Sequence, residues 1–273
     1  MDDARRVTIS LPTQPPTGQQ PTGQPSGAQP SGARRPAARR PAARPPDASL
    51  VDLGPIAQLR AGRLGRRLPQ LYIGLVLYGV SLALMIRGRL GLAPWDVLHV
   101  GLTHHIPLTV GQILTVVAFV VLIAWIPLRE RPGLGTLSNA VVLGLATDAT
   151  LALLDSPGDL AARVALTAGG IALCALATAM YIGAQLGRGP RDGLMTGLHR
   201  RTGWSIRLVR TGIEVAVLLL GLALGGSAGL GTVAFALAIG PLTQAMLPFW
   251  TVRLDTNQTS PSQTSPSQAG GTS

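Results

Sequence analysis

From residue 69 onward the chain reads as long apolar runs broken by short stretches of Gly, Pro and Arg. Six runs stand out, at about 69–87, 109–128, 134–154, 162–184, 206–224 and 230–250. Each is close to the roughly twenty residues that an α-helix needs to cross the hydrocarbon core of a bilayer, so each predicts a spanning helix. Two shorter helical segments, about 94–105 and 190–202, follow the first and fourth runs, and neither is long enough to span comfortably. The expected fold class is an all-α polytopic membrane protein of about six spans plus two short helices, either re-entrant or interfacial, with the lipid bilayer as its first partner.

The runs are not independent of one another. GLAPWDVLHVGL, residues 91–102, returns 96 residues later as GRGPRDGLMTGL, residues 187–198, with Gly, Pro, Asp, Leu, Gly and Leu at matching positions. The same ungapped offset of 96 pairs Gly74 with Gly170, Thr115 with Thr211, Gly144 with Gly240 and Thr147 with Thr243. It also lays Gly133, Leu134, Gly135 and Thr136 on Gly229, Leu230, Gly231 and Thr232. Two apolar segments matched by chance would share Leu, Val and Ala. These share Gly, Pro, Asp and Thr, which marks an internal duplication. Each half then runs long helix, short Pro–Asp helix, long helix, Gly-Leu-Gly-Thr turn, long helix, with repeat 1 over 56–155 and repeat 2 over 156–253. Residues 1–55, rich in Pro, Arg and Gln, and residues 254–273, rich in Ser, Thr and Gln, have too little apolar surface to offset chain entropy. Both are expected to be disordered tails.

Charge supplies the topology. The net charge is +11, and every one of the 23 basic residues is Arg. Eleven of them precede Leu68 and most others sit in short loops, which is the pattern of cytoplasmic flanks of membrane helices and not of a nucleic-acid footprint. With three spans per half and a cytoplasmic N-terminus, Arg129, Arg131, Arg188, Arg191, Arg200, Arg201, Arg207, Arg210 and Arg253 fall inside. Only Arg87, Arg89 and Arg163 fall outside. If the short helices crossed as well, the bias would vanish. The rule therefore favours three plus three spans, both termini cytoplasmic, in a bacterial cytoplasmic membrane. An odd number of spans per half inverts one repeat relative to the other, a recurrent design of secondary transporters.

Candidate chemistry is sparse. Pro94 and Pro190 suit the first turn of each short helix, where a missing N–H costs nothing, and Gly91 and Gly187 precede them at the turn. Asp96 and Asp192 fall two residues further in, at the positive end of the helix dipole. They either cap their helices or approach each other from opposed repeats to bind a cation or proton. Glu214 lies deep in the fifth span, one turn from Arg210, so it forms a local ion pair or faces a solute path. Asp148 lies in the third span, and its repeat partner is Gln244. Gly135, Thr136, Gly231 and Thr232 form the matched turns, and Trp95 belongs to the first Pro–Asp motif. Arg188, Arg191, Arg200, Arg201, Arg207 and Arg210 make a basic cytoplasmic face, read chiefly as headgroup contacts and topology signals. His99, His104, His105 and His199 lack the spacing of a zinc site, so no metal and no cofactor is expected. The single cysteine, Cys174, excludes an internal disulfide. No nucleophile–base pair is visible, so the chain is not read as an enzyme.

The motifs Gly91-x-x-Pro94-Trp95-Asp96-Val97-Leu98 and RGPRDGLMTGLHRRTGWSIRLVRTGIE, residues 188–214, resemble the YczE-like bacterial integral membrane proteins, related to the YitT group. The resemblance covers about 68–250. It implies a small inner-membrane protein and supplies no substrate. The expected function is transporter-like, acting on a small solute or ion at a site near Asp96, Asp192 and Glu214. The alternative is a non-transporting accessory protein with a membrane protein partner. Transport calls for a polar cavity between the repeats, and the accessory role for a sealed core.

Overall fold

A computed structural model describes residues 54–254, so the expected tails lie outside the described residues except for Gly54, Pro55 and Leu254, and Pro55 already opens a helix. Helix is the only regular structure among the described residues. In chain order the helices are α1 (Pro55–Arg60), α2 (Leu64–Gly88), α3 (Pro94–Thr103), α4 (Val110–Leu128), α5 (Leu134–Leu153), α6 (Leu160–Gly183), α7 (Pro190–Thr202), α8 (Ile206–Ala223) and α9 (Leu230–Trp250). The long runs all appear as helices, and α1 is an addition that the apolar pattern does not reach.

Among the described residues five helices are long and apolar enough to cross a membrane: α2, α4, α5, α6 and α9. The sixth run of the sequence forms α8 but falls short of that standard. Its 18 residues carry Arg207, Arg210 and Glu214 in the first three turns. The 25 residues of α2 extend about 37 Å at 1.5 Å each, ample for a bilayer, whereas the 10 of α3 extend about 15 Å.

Local chemistry sets the helix ends. Pro94 and Pro190 open α3 and α7. The Thr109 hydroxyl accepts from Gln112 N while the Gln112 side chain accepts from Thr109 N, a reciprocal cap on α4. Ser205, 96 residues on, caps α8 through Leu208 N. Gly91 and Gly187 stand at φ +120° and +139°, where a side chain would be strained, and each lets the chain turn tightly into a short helix.

The long-range contacts come in pairs whose members differ by 96. Arg67 donates to Ala184 O at 2.8 Å and Gln185 O at 2.7 Å; Arg163 donates to Gly88 O at 3.1 Å and Arg89 O at 2.9 Å. Each arginine thus satisfies carbonyls left open at the end of the other half's first helix. Gly135 N donates to Leu186 O at 2.8 Å, and Gly231 N donates to Leu90 O at 2.7 Å, so each Gly-Leu-Gly-Thr turn docks on the other half's approach to its short helix. A Cβ on Gly74 would lie 3.2 Å from Ala177 O, and one on Gly170 would lie 3.0 Å from Ser81 O. α2 and α6 therefore run antiparallel at close range. Around them lies the core, with Leu71, Leu75, Tyr181 and Leu186 on one side and Met85, Leu92, Val97 and Ile171 on the other.

The short helices cross over. α3 packs on α8, and α7 packs on α4. Gly221 lets the α3 backbone approach at Val97 and Leu98, and at the matching place Gly193 accommodates the Trp125 ring. Trp125 Nε1 also donates to Pro190 O at 2.9 Å. The outer surface carries exposed Val120, Ile123, Leu219, Leu237 and Phe249, which suits a lipid-facing boundary.

Candidate functional site

The pairing fails at one place. α4 lies along α5, but α8 does not lie along α9. In the first half Asp148 receives the Thr109 hydroxyl at 2.5 Å and Gly111 N at 2.8 Å, clamping the start of α4. Gly144 sits against Gly111 and Thr115 with no room for a side chain. In the second half the counterparts are Gln244 and Gly240. Gln244 makes no such clamp, and a Cβ on Gly240 would meet nothing within 4 Å.

A cavity of about 250 Å³ fills this gap. The N-termini of α3 and α7 reach it through Pro94, Trp95, Pro190, Arg191 and Asp192, α8 through Arg210 and Glu214, and α9 through Phe235, Ile239, Gly240, Thr243 and Gln244. Tyr78, Thr178 and Tyr181 close it from the α2–α6 side. The equivalent space in the first half is only about 20 Å³. Its lining includes His99, Leu114, Ala118, Asn139 and Leu143, which lie 96 residues before Met195, Arg210, Glu214, Phe235 and Ile239 of the large cavity. Apolar Leu114 and Ala118 fill where charged Arg210 and Glu214 stand at an open mouth.

At the centre, the N2 residues of the two short helices meet. The Arg191 guanidinium lies over the Trp95 ring, 5.3 Å from its centroid. Among the described residues Arg191 has no hydrogen-bond or ion-pair partner, although it lies in the attractive field of both Asp96 and Asp192. Asp192 Oδ2 accepts from the Tyr181 hydroxyl at 3.0 Å, and the Tyr181 ring stacks on Tyr78 with centroids 6.0 Å apart. Asp96 is buried behind the wall and pairs with His99 Nδ1 at 3.2 Å on its own helix. Two polar atoms on lining residues, Trp95 Nε1 and Thr243 Oγ1, are buried without a partner among the described residues.

The four acidic candidates therefore separate. Asp192 and Glu214 share the cavity, and Asp96 stands behind it. Asp148 is elsewhere, holding α4 to α5. The hydrogen-bond partners of both Pro–Asp carboxylates are side chains, not backbone N–H groups. Glu214 pairs with Arg210 Nε at 2.9 Å. The basic residues separate as well. Arg200 pairs with Glu130, and Arg201 donates to Pro127 O at 3.0 Å, so both serve the end of α4. Arg207 is exposed, and Thr136 Oγ1 holds Arg188 through its carbonyl at 2.7 Å. Arg191 faces inward, apart from that surface. Its signal in the sequence was its offset: it is the counterpart of Trp95, so the pair occupies one position of the duplication twice. No group of three or more His, Cys, Asp and Glu side chains placed to hold a metal occurs among the described residues.

Residues 65–248 match a family described as "Family of unknown function (DUF6198)". The chain belongs to this family. A Haemophilus influenzae relative, an uncharacterized protein, is 40% identical over 65% of this chain and 81% of its own length. The uncharacterized membrane protein YczE of Bacillus subtilis is 32% identical over 65% of this chain and 83% of its own. The uncharacterized protein YyaS, also of Bacillus subtilis, is 28% identical over 64% of this chain and 90% of its own. No solved structure matches. The matched region takes in both Pro–Asp motifs and every residue of the cavity, so this family member is a YczE-like, multi-pass membrane protein, and its cavity lies within the part shared with the family.

Proposed function

We propose that this protein carries a small solute or ion across the bacterial cytoplasmic membrane, through two inverted halves of three long helices each, with both termini on the cytoplasmic side. One observation carries the reading: the space between the second and third long helices is open in one half and shut in the other, at positions the duplication makes equivalent. A carrier that exposes its site to each side in turn closes one half as it opens the other. The short helices end at the site from opposite halves, as the broken helices of carriers do. The cavity also favours transport over the accessory reading, which calls for a sealed core. The reading includes no catalytic step.

The test uses the internal symmetry. Closing the second half would bring Ser205 and Gln244 together, as Thr109 and Asp148 meet now. In full-length protein in membranes, with Cys174→Ala, the pair Ser205→Cys and Gln244→Cys is expected to cross-link in a fraction of molecules. The cross-linked fraction should then expose a maleimide-reactive Leu143→Cys, a position now buried in the shut half. Absence of cross-linking under all conditions would leave a rigid protein and remove the transport reading.

A further inference from the structure

We infer that the cavity binds a small zwitterion, with its anionic group on Arg191 and its cationic group on Asp192. This rests on the solute-binding reading above and narrows it to a class of substrate.

Arg191 presents a guanidinium whose donors find no acceptor among the described residues, while the Trp95 ring holds it from one face. A planar fork left in this state recognises a carboxylate or similar oxyanion by paired hydrogen bonds. It stands in the first turn of α7, and α3 ends at the same cavity, so two helix N-termini add to the anion-binding potential. The next residue, Asp192, lines the same space. Its Oδ2 takes the Tyr181 hydroxyl, its Oδ1 accepts no hydrogen bond from the described residues, and the stacked Tyr78 and Tyr181 rings stand beside it. A carboxylate flanked by aromatic faces suits an ammonium group.

The sum of charge decides between classes. Arg210 and Glu214 neutralise each other at the mouth. Among the charged residues that line the inside of the cavity, Arg191 and Asp192 remain, one of each sign and not directly bonded to one another, while Asp96 stands behind the wall on His99. A bound anion would satisfy Arg191 and crowd Asp192; a bound cation would do the reverse. Either leaves an added charge uncompensated in a partly desolvated site, which is costly. A solute carrying both signs answers both groups at no net charge. The volume sets the size, since about 250 Å³ is room for about eight waters at ~30 Å³ each.

The experiment measures thermal stabilisation of the purified full chain in detergent by glycine betaine, L-alanine, propionate and ethylammonium. A ligand that binds only the folded state raises the melting temperature, and the more so the further its concentration exceeds its Kd. At least one of the two zwitterions is expected to stabilise the wild type, and propionate and ethylammonium are not. Arg191→Gln and Asp192→Asn should each weaken that response by about tenfold or more, the scale of a charged hydrogen bond. Each variant should also gain the complementary single ion: Asp192→Asn should respond to propionate, and Arg191→Gln to ethylammonium. That gain requires a folded protein, so a variant that merely unfolds does not imitate it. Stabilisation of the wild type by a single ion alone, or by none of the four, would overturn the zwitterion. The cross-linking of Ser205→Cys with Gln244→Cys needs no ligand, so it still decides the transport reading in that event.

Discussion

The two halves of the molecule repeat one plan and differ in one joint. In the first half α4 and α5 are clamped: Asp148 binds the start of α4, and Gly144 admits the Gly111 backbone. In the second half α8 and α9 stand apart over a cavity more than ten times larger than its counterpart, about 250 against 20 Å³. At the ends of α2 and α6 equivalent contacts agree down to the two carbonyls that Arg67 and Arg163 each take from the opposing helix. The lesson is that the shared frame is α2, α6 and the two short helices, while the outer helix pairs are the variable part. Lining chemistry follows this division. Residues near the pseudo-symmetry axis, Trp95 and Arg191, serve both spaces, whereas Glu214 and Gln244 belong to the open side alone.

The largest expected effect breaks the clamp. Gly144→Leu places a side chain where Gly111 O and Thr115 already stand, so it should cost about 3 kcal/mol, the upper end of ordinary overpacking. Gly240→Leu meets open space and should leave the melting temperature nearly unchanged while abolishing the Ser205–Gln244 cross-link. Equal melting losses for the two would deny the asymmetry. Next come the two arginines. Arg67 is fully buried and bonds four carbonyls, so Arg67→Gln should destabilise by about 2–3 kcal/mol through carbonyls left unpaired. Arg163→Gln, half-buried with two such bonds, should lose about half as much. A third test exchanges the contacts of the crossed helices. Gly193→Val drives a side chain into the Trp125 ring at a cost of about 1–2 kcal/mol. Adding Trp125→Gly recreates the Val97–Gly221 arrangement of the other side and should recover part of that loss, though not the hydrogen bond to Pro190 O.

Much of this frame was legible in the sequence because it rests on local pattern and on the offset. The apolar runs give the long helices within a few residues, and the shared Gly, Pro, Asp and Thr mark turns and close approaches that a side chain would block. The five-against-six count of spanning helices turns on α8, whose three charges sit in an otherwise apolar run. The open joint was not legible. It depends on how far α9 stands from α8, and nothing within either helix encodes a distance between them. Asp148 illustrates the limit: it matches Gln244 in the sequence, but one clamps a closed joint while the other faces the open one. Arg67 and Arg163 were available at the same offset of 96. Read as topology signals, they hid their second role as caps on opposing helices.

The smallest expected effect is the most informative about the cavity mouth. Arg210 and Glu214 form an i, i+4 pair with the Arg210 side chain 56% exposed, so Glu214→Gln should change stability by only about 0.3–0.5 kcal/mol. Their counterparts in the shut half are Leu114 and Ala118, which pack into the closed wall. If the second half closes by the same motion, the charged pair must be drawn from the mouth toward that wall, and the cost of desolvating it holds the half open. Replacing the pair by the residues of the other half, Arg210→Leu with Glu214→Ala, should therefore raise the Ser205–Gln244 cross-linked fraction while barely altering thermal stability. An unchanged fraction would mean that the charges merely mark the mouth and that the distance between α8 and α9 is set by the packing of α9 on α6.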